Sequence, residues 1–137
     1  MFTVRRLLAL ASVCVLGLSV AACGNSGNGS ATATTSQSGT SVPDSVPNQD
    51  SVRSDVTMSK CAPVHGGWSA GGTIKNTLGR DATYQITVFF TNAQASDLAY
   101  AATSETVNAH QNGTWTATAT FAAPSTVRCV LRGVAAN

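Results

Sequence analysis

Hydrophobic and polar positions alternate with a period of two over much of the C-terminal half of this chain. Tyr84, Ile86, Val88 and Phe90 alternate with Gln85, Thr87, Phe89 and Thr91. Alternation with β-branched and aromatic enrichment predicts a strand, with the first set facing a core. Trp115, Ala117, Ala119 and Phe121 alternate with Thr114, Thr116, Thr118 and Thr120, which predicts a second strand with a solvated threonine face. Val127, Cys129 and Leu131 share one face of a third. Trp68, Ala70, Gly72 and Ile74 share a face of an earlier, glycine-weakened one. The stretch Leu98 to Val107 is rich in alanine, but Tyr100, Thr103, Thr106 and Val107 between turn signals favour a strand. The turn signals fall at residues 76–81, 91–97, 108–113 and 122–125, with Asn112-Gly113 a hairpin-type pair. With one further strand before Trp68, six short strands at even spacing predict a small antiparallel β-sandwich over residues 58–137.

The pattern changes upstream. Residues 24 to 40 contain no large apolar side chain and are built from Gly, Asn, Ser, Thr, Ala and Gln. Such a run cannot bury enough surface to offset chain entropy. Val42-Pro43 and Val46-Pro47 stiffen the far end of the segment. Residues 23–57 are therefore expected to form a disordered tether with an r.m.s. span of about 30–35 Å. Its Ser/Thr density would also suit O-glycosylation.

The chain opens differently again. Arg5-Arg6 precede the apolar run Leu7 to Val20, which ends on Ala21, Ala22 and Cys23. Roughly 12–14 apolar residues behind a short basic segment have the form of a secretory signal and are short for a permanent membrane span. Val20-Ala21-Ala22-Cys23 resembles the lipobox of bacterial lipoproteins, with Val20 in place of the commonest Leu. That resemblance implies removal of residues 1–22, a diacylglycerol on the Cys23 sulfur, and a protein held by acyl chains on the extracytoplasmic face of the cell membrane. Two or three chains, at about 0.8 kcal/mol per buried CH₂, anchor stably where one does not. The alternatives are a plain secreted protein with a coincidental cysteine, or a buried helix.

Cysteine use depends on that division. Cys14 would leave with the signal and Cys23 would carry lipid, so Cys61 and Cys129 remain as a pair in an oxidising compartment, where a disulfide is the simple reading. It would close a loop of about 70 residues and stabilise a domain of this size by about 4 kcal/mol. The alternatives are two free thiols or half of a metal site. Cys61 and His65 are four apart, but zinc takes four ligands and no second pair has suitable spacing.

Charge and motif content narrow the function classes. The formal net charge of the whole chain is +2. Without Arg5 and Arg6, the cations Arg53, Lys60, Lys75, Arg80, Arg128 and Arg132 balance Asp44, Asp50, Asp55, Asp81, Asp97 and Glu105. No basic stripe with interleaved aromatics is present, which argues against nucleic acid as a partner. There is no G-x-S-x-G elbow, phosphate-binding glycine loop or H-E-x-x-H. Ser69, His110 and Asp97 make a catalytic set only on paper, and Asp81 and Asp97 fall in turns, where Asp is common for backbone reasons. No cofactor and no metal are expected. Phe89 falls on an otherwise polar face: an exposed ring there marks a contact patch, and the alternative is cover by the second sheet or the C-terminal segment.

Gly72-Thr73-Ile74-Lys75-Asn76-Thr77 is similar to the G-x-V/I-x-N-x segment of small immunoglobulin-like extracytoplasmic domains of bacterial lipoproteins. Val88-Phe89-Phe90-Thr91-Asn92 sits where their F-x-L-Y-D-like motif would fall, with Thr91 for the Tyr and Asn92 for the Asp. The resemblance covers residues 66–134 and implies an immunoglobulin-like sandwich and an envelope location. The function expected is a non-catalytic interaction or structural module whose partners are the membrane, through Cys23, and envelope proteins or glycans. A carrier of a small apolar or lipid ligand is the alternative.

Overall fold

The computed structural model describes residues 36–137. Seven strands form two antiparallel sheets packed face to face. In chain order they are β1 (Gln37–Gly39), β2 (Val56–Val64), β3 (Gly67–Lys75), β4 (Ala82–Thr91), β5 (Asp97–Val107), β6 (Asn112–Thr120) and β7 (Arg128–Ala136), with one helical turn, α1 (Asp50–Arg53), between β1 and β2. One sheet has the order β1-β5-β4-β7 and the other β2-β3-β6. The expected small β-sandwich is the fold.

Strand parity places the core as the alternation dictates. Tyr84, Ile86, Val88 and Phe90 of β4 are all 0% exposed. Opposite them lie Trp115, Ala117 and Ala119 of β6, with Ala70 and Ile74 of β3. Thr114, Thr116, Thr118 and Thr120 face solvent. Gly72 pairs with Trp115 across the β3–β6 ladder. A Cβ at Gly72 would collide with the Thr57 carbonyl. That same carbonyl accepts the Trp115 indole N–H at 3.2 Å, so the bare glycine lets β2 close over the largest core side chain.

Two irregularities hide strands from a parity reading. In β2 the register shifts between Met58 and Lys60, so the parity that holds at 56 and 58 passes to 61 and 63. In β7 it shifts opposite Thr87 and Val88, with Gly133 and Leu131 as the flanking partners. Arg132 is the extra residue, and inward positions move from 129 and 131 to 134 and 136. The strand therefore continues to Ala136, beyond the alternation that ends at Arg132.

The expected turn at Asn112-Gly113 lies earlier. Both residues already belong to β6, paired with Lys75 and Ile74. The chain reverses at residues 108–111, where Gln111 N–H donates to the Asn108 carbonyl at 3.0 Å and His110 adopts φ 58°. The connection carries the chain from one sheet to the other rather than closing a hairpin within a sheet.

The stretch expected to be a disordered tether up to residue 57 is, from residue 36 onward, part of the folded body. β1 adds to the β5 edge, pairing Gln37 with Ala102 and Gly39 with Tyr100. The chain then crosses the outer face of the four-stranded sheet. Val46 and the Pro47 carbonyl rest on Gly133, where a Cβ would strike both. On the far side Gln49 N–H donates to the Val134 carbonyl at 2.7 Å, the Val134 N–H donates to Asn48 Oδ1 at 3.3 Å, and Arg53 donates to the Leu131 carbonyl. Val52 of α1 and Val56 join the core. Prolines, backbone pairing and two valines hold this strap, a set that its low-hydrophobicity composition does not advertise. Residues 1–35, which include the expected signal segment, Cys14, Cys23 and the first part of the expected tether, lie outside the described residues.

Candidate functional site

Cys61 on β2 and Cys129 on β7 are joined by a disulfide, with Cα atoms 5.8 Å apart. Because β2 and β7 belong to different sheets, the bond staples the two layers. It also removes Cys61 as a metal ligand beside His65. Among the described residues, no three His, Cys, Asp or Glu side chains converge as a metal set.

Phe89 does not offer an exposed ring. It is 5% exposed, and the Arg132 guanidinium lies 5.6 Å from its ring centroid, a cation–π arrangement. The strap residues Pro43 and Val46 border the shallow pocket beside it. The bulge that places Arg132 out of register is what brings its side chain over the ring. The expectation of a contact patch at Phe89 is corrected: it is covered, by the strap and a side chain of the C-terminal strand.

An exposed apolar cleft lies at one end of the sandwich; Val130, 42% exposed, stands apart from it on the outer face of β7. Pro63 and Val64 of β2, Trp68 of β3, and Phe121 and Pro124 beyond β6 line an open cleft. Val64 is 42% exposed. Trp68 and Phe121 are half-buried and pack against the core from its edge, and Phe121 meets Phe90 with ring centroids 5.8 Å apart.

At the other end a buried polar cluster ties four segments together. Asn76, 1% exposed, donates from Nδ2 to the carbonyls of Val107 at 2.9 Å, Arg80 at 3.0 Å and Asn108 at 3.1 Å. Its Oδ1 accepts the Leu78 N–H at 2.9 Å. The Tyr84 hydroxyl donates to Asp55 Oδ2 at 2.9 Å, with Asn76 Oδ1 3.1 Å away. Thr77 donates to the same carboxylate. Burial first, then the hydrogen bond and negative charge of Asp55, push the Tyr84 hydroxyl from 10.0 up to about 12; Arg80 opposes this weakly. The residues of the G-x-I-x-N stretch thus serve architecture: Gly72 lets the Thr57 carbonyl approach and reach the Trp115 indole, Ile74 fills the core and Asn76 pins the loops. Asn92 likewise accepts the N–H groups of Gln94 and Ser96 at 2.9 Å each, holding the turn in which Ala95 has φ 63°.

This cluster predicts an alkaline limit. A hydroxyl whose native pKa exceeds its unfolded value stabilises the fold fully below pH 10 and loses that contribution as pH rises through 12. Wild-type stability is expected to fall by on the order of 2 kcal/mol between about pH 10 and 12 relative to Tyr84→Phe. Parallel pH profiles in urea denaturation would contradict this assignment.

The polar residues weighed as a catalytic set are not brought together. Asp97 begins β5, whereas His110 lies beyond its other end, about 35 Å along the strand. Ser69 sits on β3 and accepts a hydrogen bond from Thr118. Burial raises the Glu105 carboxyl, but no acid or base partner faces it among the hydrogen bonds of the described residues.

A second concavity lies between the strap and the outer face of β4 and β5, with a volume of about 360 Å³. Gln85 and Thr87 form its floor, Tyr100 and Ser104 one wall, and Gln37 and Ser45 the strap side. Sequence reasoning does not find it, because one wall comes from residues expected to be disordered. Comparison of the chain with protein-family models, curated proteins and solved structures finds no match.

Proposed function

We propose that this chain is a lipid-anchored bacterial envelope protein presenting a non-catalytic, immunoglobulin-like interaction module. The observation that supports the module reading most is the apolar end. Val64, Trp68 and Phe121 are left partly in water while Trp115, Tyr84 and Phe90 fill the interior. An exposed apolar cleft beside a filled core suits a protein partner better than a carried ligand. The sheet order also favours the immunoglobulin-like resemblance: the first, second and fifth long strands form one sheet, and the remaining long strands form the opposing one.

The anchor reading rests on Val20-Ala21-Ala22-Cys23. With Gln37 already paired to the sandwich, the chain between Cys23 and β1 reaches at most about 50 Å. The module would sit close to the bilayer rather than on a long leash. Cys23→Ala is expected to shift the protein from the membrane fraction to the soluble fraction. A variant that stays fully membrane-bound contradicts the anchor. A photo-crosslinker at Val64 is expected to trap an envelope protein that the same probe at Thr114, at the far end of the threonine face and outside the cleft, does not. Equal yields at both positions contradict the contact end.

A further inference from the structure

We infer that the concavity beneath the strap is a binding site for an uncharged saccharide of one or two rings. The inference takes up the glycan half of the proposed partner class and gives it a location; it depends on neither the anchor nor the apolar end.

Three observations carry it. The space, about 360 Å³, falls within the range of small-ligand pockets, about 300–1,000 Å³. The lining contains no Asp, Glu, Lys, Arg or His, so a phosphate, carboxylate or ammonium group entering it would lose water without gaining a counter-charge. Its polar members are amides and hydroxyls. Gln37, Ser45, Gln85, Thr87, Tyr100 and Ser104 all border the space, and none takes part in any of the side-chain hydrogen bonds among the described residues. Thr87 is 7% exposed and stands at an outward position of β4, so its nearly buried side chain, which carries a hydroxyl, borders the groove. Buried polar groups ordinarily find partners, and here the open side is the groove.

The shape suits a sugar ring. Tyr100 is half-buried, with its ring edge resting on Gly39 of the strap; a Cβ at Gly39 would lie 3.1 Å from Tyr100 Cε1. The ring is thereby held as part of the wall, while Ala102 and Pro43 supply short apolar contacts. A saccharide presents the matching combination of C–H faces and a rim of neutral donors and acceptors. Gln85 and Gln37 each offer two N–H donors and a carbonyl, and the hydroxyls donate or accept. An aliphatic ligand would leave these groups unpaired, at about 1–3 kcal/mol each.

The test is saturation-transfer NMR on the purified full-length protein with glucose, N-acetylglucosamine and their β-linked disaccharides as probes. At least one probe is expected to bind with a millimolar Kd. Gln85→Ala and Thr87→Val are expected to weaken that binding about tenfold or more each, since each removes a neutral hydrogen-bonding group from the floor. Gln85 is exposed and Val keeps the shape of Thr, so both variants retain the fold, which the native thermal transition checks. Glucuronate, with a carboxylate on the same ring, is expected to bind more weakly than glucose. No transfer to any probe, transfer unchanged in both variants, or glucuronate binding as well as glucose overturns the inference. None of these results bears on membrane release by Cys23→Ala or on crosslinking from Val64.

Discussion

Asn76→Ala is expected to cost about 3 kcal/mol or more and to lower the melting temperature by more than about 12 °C. The reason is local accounting at a residue 1% exposed. Truncation removes one amide that serves the carbonyls of Arg80, Val107 and Asn108 and the N–H of Leu78. Water cannot readily reach a site this buried beside the Tyr84 hydroxyl, and each buried orphan costs about 1–3 kcal/mol. Asn76→Asp separates the donor role from the acceptor role. It keeps an oxygen for Leu78 but turns a carboxylate toward the carbonyls and Asp55, so it is expected to be at least as damaging as alanine. Calorimetry placing Asn76→Ala within about 1 kcal/mol of wild type would show that the cluster does not hold the fold.

Loss of the Cys61–Cys129 bond is expected to cost about 4 kcal/mol by chain-entropy arithmetic over a separation of 68 residues. The double substitution Cys61→Ser/Cys129→Ser avoids leaving a lone reactive thiol and should show the loss in urea denaturation with a shifted midpoint. In the wild type neither thiol should label before reduction. Complete labelling of both in the native protein contradicts the staple. The bond and Asn76 lie about 20 Å apart along β3, so their costs should add. A small domain has about 5–15 kcal/mol in total, so the triple variant is expected to be largely unfolded.

Legibility in the sequence tracks strand parity. β4 and β6 keep strict alternation over their lengths, and their inward residues are the core. The same rule fails wherever a register shift changes it: β2 loses its pattern between Met58 and Lys60, and β7 extends past the point where Arg132 breaks it. The strap was illegible for another reason. Its hold comes from backbone pairing at Gln37–Gly39, from proline-stiffened chain over Gly133, and from the amides of Asn48 and Gln49 on β7. None of these leaves a hydrophobic signature. Phe89 illustrates the consequence. By parity its ring points away from the core, and only the strap and the bulged Arg132 turn that position into a covered one. The pairing of Cys61 with Cys129 was legible on the expectation that Cys14 leaves with a signal and Cys23 carries lipid, which leaves one pairing. The apolar end was not, because Trp68 and Phe121 read equally well as core residues and sit at the margin of it.

An envelope module held at the membrane requires a particular fate for Cys23. Intact-mass and peptide mass spectrometry of the protein isolated from its native membrane tests this most directly. The predicted result is a chain beginning at residue 23, with the mass of a diacylglycerol group on its first residue. A chain that retains residues 1–22, or one that begins at an unmodified cysteine, would contradict it.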